Sequence, residues 1–131
     1  MKLFDKATGF YMANHNKLGI EGEEKAIDYL QSKTYAILEK NWRYRKSEID
    51  IIALDGPLLV IVEVKTREHW MVEEAEKSVT KAKQRRIIRA AHAYITDRDL
   101  QHEVRFDIIV VTKAGQAFQI RHIPDAFYPI A

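Results

Sequence analysis

The stretch Ser47-Glu48-Ile49-Asp50-Ile51-Ile52-Ala53-Leu54, followed by Asp55-Gly56-Pro57 and then Leu58-Leu59-Val60-Ile61-Val62-Glu63-Val64-Lys65, reads as two strands joined by a tight turn. Gly-Pro cannot continue a ladder and marks the reversal. A two- or four-residue loop centred on Gly56-Pro57 sets Leu54 near Leu59, Asp50 opposite Glu63 and Glu48 opposite Lys65. Side chains alternate faces along a strand. Residues 48, 50, 52 and 54 therefore share a face with 59, 61, 63 and 65, apolar near the turn and ionic at its far end. The other face (Ile49, Ile51, Ala53, Leu58, Val60, Val62, Val64) is wholly apolar. Both faces expect cover, as in the central strands of a layered α/β domain.

The ionic end has an ordinary explanation, since cross-strand Glu/Lys pairs on a solvated face each contribute roughly 0.2–1 kcal/mol. Here the neighbours on that face are aliphatic. Two partly desolvated carboxylates repel, and the repulsion raises a pKa unless a cation intervenes. Lys65 supplies one positive charge. A magnesium-type ion, or manganese in its place, takes oxygen ligands of the kind Asp50 and Glu63 offer.

Composition sets the frame. The 131 residues suit one domain, 47% hydrophobic and 31% charged, with a net charge of +2 that decides little about partners. No apolar run approaches a membrane span, so no membrane partner is expected. Residues 1–14 are expected to be loosely ordered and make a poor signal peptide. The absence of cysteine excludes disulfides and thiolate chemistry and fits a cytoplasmic location. Basic residues cluster in two places: Lys77, Lys81, Lys83, Arg85, Arg86 and Arg89, and Arg43, Arg45 and Lys46 beside Trp42 and Tyr44. Such clusters are either solvated faces or phosphate-tracking surfaces. Trp42 and Tyr44 either pack in the strand or stack on bases.

A first helix is expected from Asn16 to about Ser32, with Ile20, Ala26, Ile27 and Leu30 facing inward. Glu23 lies within that stripe, where a carboxylate is costly unless paired or bound to a cation. Gly19 and Gly22 weaken the helix but permit close approach to a sheet. A strand is expected over Tyr35–Tyr44. After the hairpin, Thr66–Glu76 reads as a polar loop whose His69-Trp70-Met71 is able to close over a ligand. A second helix runs from about Ser78 to Thr96, with Val79, Ala82, Arg86 or Ile87, Ala90 and Tyr94 inward. Strands Arg105–Val111 and Ala117–Ile123 follow. The order is α-β-β-β-α-β-β, an α/β layer sandwich around a mixed five-stranded sheet. Arg105 and Asp107 read as a structural ion pair. The histidines show no zinc spacing, and the serines lack a His/Asp partnership.

Glu23, Asp50 and Glu63-Val64-Lys65 in this arrangement resemble the PD-(D/E)xK nuclease superfamily, the restriction-endonuclease-like fold. More closely, the chain resembles the YraN family. The matching residues are His15-Asn16, Gly19, Gly22-Glu23, Asn41-Trp42-Arg43, Glu48-Ile49-Asp50-Ile51-Ile52-Ala53, Val62-Glu63-Val64-Lys65-Thr66-Arg67, Val79-Thr80 with Lys83, Arg105-Phe106-Asp107 and Ala126-Phe127. Ile49 stands where the superfamily name expects proline, and Ser47 where the family favours glycine. The resemblance implies a core similar to archaeal Holliday-junction resolvases. It implies metal binding by Asp50 and Glu63, completion of the site by Glu23, and assistance to the chemistry by Lys65.

The reading is a Mg²⁺-dependent endonuclease acting on DNA more than RNA, on branched or damaged substrates, with a homodimer expected if a two-fold-symmetric junction is cut. Arg43, Arg67, Lys81, Lys83, Gln84 and Arg86 are the candidate phosphate contacts, Lys83 and Gln84 having a plain surface role as the simpler alternative. Glu48 is expected to pair with Lys65 or Arg43. One rival is a catalytically silent nucleic-acid-binding domain of the same fold. The other is a protein-interaction domain whose basic helix meets an acidic partner.

Overall fold

Aliphatic side chains on both faces of residues 47–65 demand a layer on each side, and the protein supplies one helix to each. The computed structural model describes the backbone of residues 2–71 and 75–129 and the side chains of 16–71 and 77–129. The elements are α1 (Lys2–Ser32), β1 (Ala36–Tyr44), β2 (Ser47–Asp55), β3 (Leu58–Glu68), a short 3-10 turn (Ala75–Ser78), α2 (Lys81–Asp97), β4 (Glu103–Ala114) and β5 (Ala117–Phe127). They form one five-stranded sheet in sequential order. The β3–β4 pair is parallel, with α2 as its crossover, and the other pairs are antiparallel.

The hairpin has the register expected from sequence as far as Ile51–Val62, and the expected Asp50–Glu63 and Glu48–Lys65 pairs lie beyond the end of the ladder. Asp55 pairs with Leu58, Leu54 with Leu59 and Ile51 with Val62. The loop is therefore Gly56-Pro57 alone. Gly56 takes a φ of 56°, which glycine adopts without steric cost at the first central position of a tight hairpin turn.

Two apolar clusters flank the sheet. Beneath α2, Ile52, Leu59, Ile61, Phe106 and Ile108 meet Ile87, Ala90 and Tyr94. Beneath α1, Ile51, Ala53, Val60, Val62, Ile109 and Val111 meet Ala26 and Leu30. The alternation expected for β2 fails at one point. Ile49 packs with Ile52 under α2 rather than with Ile51 under α1. The β2–β3 ladder ends at Ile51–Val62, and facing β1 carries Asn41 at a φ of 52°. Beyond that pair β2 is held by β1 alone, beside the left-handed Asn41, and the strict two-residue period is not kept.

The helices differ from expectation in detail. Helix α1 begins at Lys2 rather than Asn16. Ile20 is exposed, and Leu18 takes the inward place. Ala82 is exposed and Ile87, not Arg86, faces the core. Strand β3 runs through Thr66 to Glu68, so the expected loop starts later. Trp70 is exposed beyond it, and residues 72–74 of that segment lie outside the described residues.

Gly22 fixes how closely α1 sits on the sheet. A Cβ there would lie 2.8 Å from both Cβ and Cγ2 of Thr66, inside any tolerable contact. Gly19 has no such neighbour. Gly22→Ala should gain up to ~1 kcal/mol of helix propensity yet lose about 1–3 kcal/mol to overpacking. The expected result is a lower urea midpoint. An unchanged or raised midpoint would show that the α1–β3 contact is loose.

Candidate metal centre

The ladder's early end creates the site. Beyond the Ile51–Val62 pair, the Val64 N–H donates to Asp50 Oδ2 at 2.8 Å where the β2 ladder no longer continues. Asp50 is thereby pinned against β3, beside Glu63. Burial, followed by the Glu63 charge, pushes the Asp50 carboxyl up to about 8, against the lowering effect of the Val64 N–H.

Glu63 is only 4% exposed. Its Oε1 lies 2.6 Å from Lys83 Nζ and 3.6 Å from Lys65 Nζ. Lys83 comes from α2, across the sheet face from β3. Thr80 caps that helix, its hydroxyl accepting the Lys83 N–H at 3.2 Å, and so fixes Lys83 in the first turn. Val79 is buried in the core and anchors the cap. A cation in a first turn opposes the helix dipole by ~0.3–1 kcal/mol, so Lys83 needs a local partner, and Glu63 is that partner. Burial works against the charge on Lys83, but Glu63 lifts its pKa above the usual lysine range. Lys65 moves the other way: burial, then adjacent Lys83, lowers its pKa despite Glu63.

Glu23 reaches the same region from α1. It is half-buried, and burial raises its pKa, opposed by a hydrogen bond with the Asn41 side chain. Repulsion from Glu48 and Glu63 adds to the rise. The sequence singled out Asn41 only as part of the family match and did not indicate its contact with Glu23. Its left-handed backbone at 52° is not signalled by the strand pattern around it.

The remaining candidates divide. Arg43 pairs with Glu48 at 3.4 Å, one of the two partners expected for Glu48, the other being Lys65, and is itself well exposed. Lys81, Arg85, Arg86 and Arg89 are exposed along α2. Arg67 donates to the Thr66 carbonyl at 3.1 Å. Gln84 is turned inward, its Nε2 donating to the Val79 carbonyl at 3.1 Å, where it braces the cap. Lys83 is neither a plain surface residue nor free for phosphate in this arrangement. The His15 side chain lies outside the described residues. Asp107 is fully buried: burial raises its pKa, but His122, Arg105 and the Asp125 N–H together hold it below the usual carboxylate range. Its bonds to Arg105 Nε at 2.9 Å and His122 Nε2 at 2.7 Å confirm the structural ion pair.

Among the described residues, no three or more His, Cys, Asp and Glu side chains converge tightly enough to enclose an ion. Glu23 thus does not close with Asp50 and Glu63 into a cage. Magnesium does not require one. It commonly takes one or two carboxylates, with water and substrate phosphate completing the shell. Asp50 and Glu63 fit that donor set. Their mutual repulsion, expressed in the raised Asp50 pKa, is what a bound cation would relieve.

A family profile described as uncharacterised protein family UPF0102 matches residues 22–111, well over half of the chain and all of this site. The chain belongs to the UPF0102 family. This is the group that the sequence pattern pointed to as YraN. A UPF0102 protein of Flavobacterium psychrophilum is 47% identical over 117 residues, covering 89% of this chain and 98% of the relative. A UPF0102 protein of Geobacter metallireducens is 48% identical over 118 residues, with 88% and 97% covered. One from Bacteroides thetaiotaomicron is 45% identical over 118 residues, with 90% and 98% covered. UPF0102 similarity thus extends along nearly the whole of each chain. No helix among the described residues is long and apolar enough to cross a membrane.

Proposed function

We propose that this UPF0102 protein is a metal-dependent phosphodiester hydrolase of the PD-(D/E)xK kind, acting on nucleic acid and on DNA in preference to RNA. One observation carries the reading: Asp50 and Glu63, crowded at the end of a buried strand pair with Lys65 and Lys83 against them. Asp50, Glu63 and the Val64 carbonyl would hold the ion, and Glu23 would face it from α1. The ion would acidify a water and offset charge on the phosphoryl oxygens. Lys65 would donate to a phosphoryl oxygen or position the attacking water. Arg43, Arg67, Lys81 and Arg86 are the cations available to the flanking phosphates. The resemblance to Holliday-junction resolvases supports branched DNA as substrate and a homodimer as the working form, since such a junction needs two incisions.

A second reading has its own support. Lys83 already neutralises Glu63 at 2.6 Å, which is compatible with a silent nucleic-acid-binding domain. A panel of linear, nicked and four-way DNA incubated with Mg²⁺ or Mn²⁺ separates the two. The enzyme should cut at least one substrate, and Asp50→Ala should lower the rate by roughly 10²–10³ with binding retained. Cleavage unaffected by Asp50→Ala, or salt-sensitive binding with no ion-dependent cleavage of any substrate, would remove the enzymatic reading.

A further inference from the structure

Helix α2 from Arg86 to Asp97 borders a second feature, separate from the carboxylates. A groove of about 1350 Å³ runs between α2 and the β1–β2 turn. Its floor is apolar, with Ala91, Ile95, Val104 and Phe106 contributing. Arg86 and Arg89 stand on one wall, and Arg45 and Lys46 on the other, all four exposed. Among the described residues, Asp97 is the sole acidic one in its lining, and Arg98 pairs with it at 3.4 Å. Trp42 and Tyr44 also line it. Their rings are parallel to within 4° with centroids 6.4 Å apart, and the guanidinium groups of Arg98 and Arg45 lie over Trp42 and Tyr44 at 5.7 Å and 5.2 Å from the ring centroids, contacts that an incoming base would displace or share. Tyr94 holds the Trp42 ring from the side, edge-on at 5.1 Å.

We infer that this groove binds a single strand of nucleic acid through unpaired bases, and that it feeds the carboxylate site. The chemistry selects the occupant. Four cations on two walls suit a chain carrying one anion per unit. An apolar floor with aligned aromatic faces suits flat rings that are not already stacked on a partner. A duplex offers the phosphates but hides the base faces. An acidic peptide offers the charge but no repeating ring. The groove leads to the site by short steps. Arg86 lies one helical turn beyond Lys83, and Ser47 in the wall lies three residues before Asp50. This inference deepens the nuclease reading and rests on it only for the strand's destination.

Trp70→Phe leaves Trp42 as the sole tryptophan, since the chain has two and Trp70 is 65% exposed outside the groove. That protein is titrated in EDTA with a 12-nucleotide oligo-dT, a duplex of equal length and polyglutamate. The oligo-dT should quench Trp42 emission and bind at least tenfold more tightly than the duplex. Tyr44→Ala should weaken it about tenfold. Arg86→Ala with Arg89→Ala should weaken it and lower the salt slope by about 1.4. Equal affinity for the duplex, capture of polyglutamate in preference to oligo-dT, or unchanged emission on binding overturns the inference. If Tyr44→Ala loses its circular-dichroism signal, the exposed Arg89→Glu replaces it, and unaltered oligo-dT affinity in that variant overturns the inference equally. Cleavage assays run in parallel keep the two proposals apart. Quenching without any cleavage leaves the groove standing and removes the nuclease. Cleavage without single-strand preference removes the groove alone.

Discussion

Asp50→Asn should make the metal-free protein more stable, by about 2–4 kcal/mol at pH 8.5, while abolishing its response to Mg²⁺. Burial and the Glu63 charge raise the folded-state pKa of Asp50 from 3.8 to about 8. The sign follows from linkage. Between those values the native protein holds a proton that the unfolded chain has released. The Asp50 contribution is therefore greatest below pH 4 and is lost as pH rises through 8. Asparagine does not ionise, and its carbonyl still accepts the Val64 N–H. Variant and wild type should thus differ little near pH 4 and diverge up to about pH 8. Mg²⁺ at pH 8.5 should stabilise the wild type, because an ion between Asp50 and Glu63 removes their repulsion. It should leave Asp50→Asn almost unmoved. Urea denaturation across pH, with and without Mg²⁺, measures all of this. A difference independent of pH, or equal stabilisation of both proteins by Mg²⁺, refutes the placement of the ion. A gain in stability on loss of an ionisable charge is also how a functional site differs from a structural one.

Much of this arrangement was legible in the chain. The Gly56-Pro57 turn and the aliphatic alternation fixed the hairpin register, and with it the nearness of Asp50 to Glu63. That inference needed only the two-residue period of a strand. The helical stripe brought Glu23 to the correct side, because the three- and four-residue spacing survives tertiary packing. What failed did so for physical reasons. Ile49 changed faces beyond the point where the β2–β3 ladder ends, and no local pattern encodes that end. Ile20 is apolar and exposed, a common surface outcome that periodicity alone cannot foresee. The Lys83–Glu63 contact joins a helix to a strand across the crossover, and parity is silent about such contacts. A local signal did exist: Thr80 as cap fixes Lys83 in a first turn, where a cation is unfavourable without an anion nearby. The His122 side of the Asp107 network was illegible too, since β5 supplies it through a pairing far along the chain.

Lys83→Met provides the sharper test of what the second lysine does. Met retains an apolar stem and removes the charge that lies 2.6 Å from Glu63. Breaking a buried ion pair on one side costs about 3–5 kcal/mol, because the other charge is left desolvated. Two features reduce that here. Lys65 remains 3.6 Å from the same oxygen, and the Lys83 side chain is 34% exposed. A loss of about 2–3 kcal/mol in EDTA is expected. Glu63→Gln in the same protein should recover part of it, since no carboxylate is then stranded, although Lys65 loses its partner. The effect of Mg²⁺ distinguishes an ionic placeholder from a plain structural bridge. If Lys83 supplies the countercharge that an ion supplies when bound, its removal leaves a stronger anionic site. Lys83→Met should then bind Mg²⁺ about tenfold more tightly than the wild type and regain its lost stability on binding. A bridge with no relation to the ion gives destabilisation that Mg²⁺ does not repair. Calorimetric titration of Mg²⁺ into both proteins, beside denaturation with and without the ion, reads the two outcomes separately. Unchanged Mg²⁺ affinity would return Lys83 to a purely structural role. Tighter binding would mean that the fold carries its own exchangeable cation at the place where the chemistry needs one.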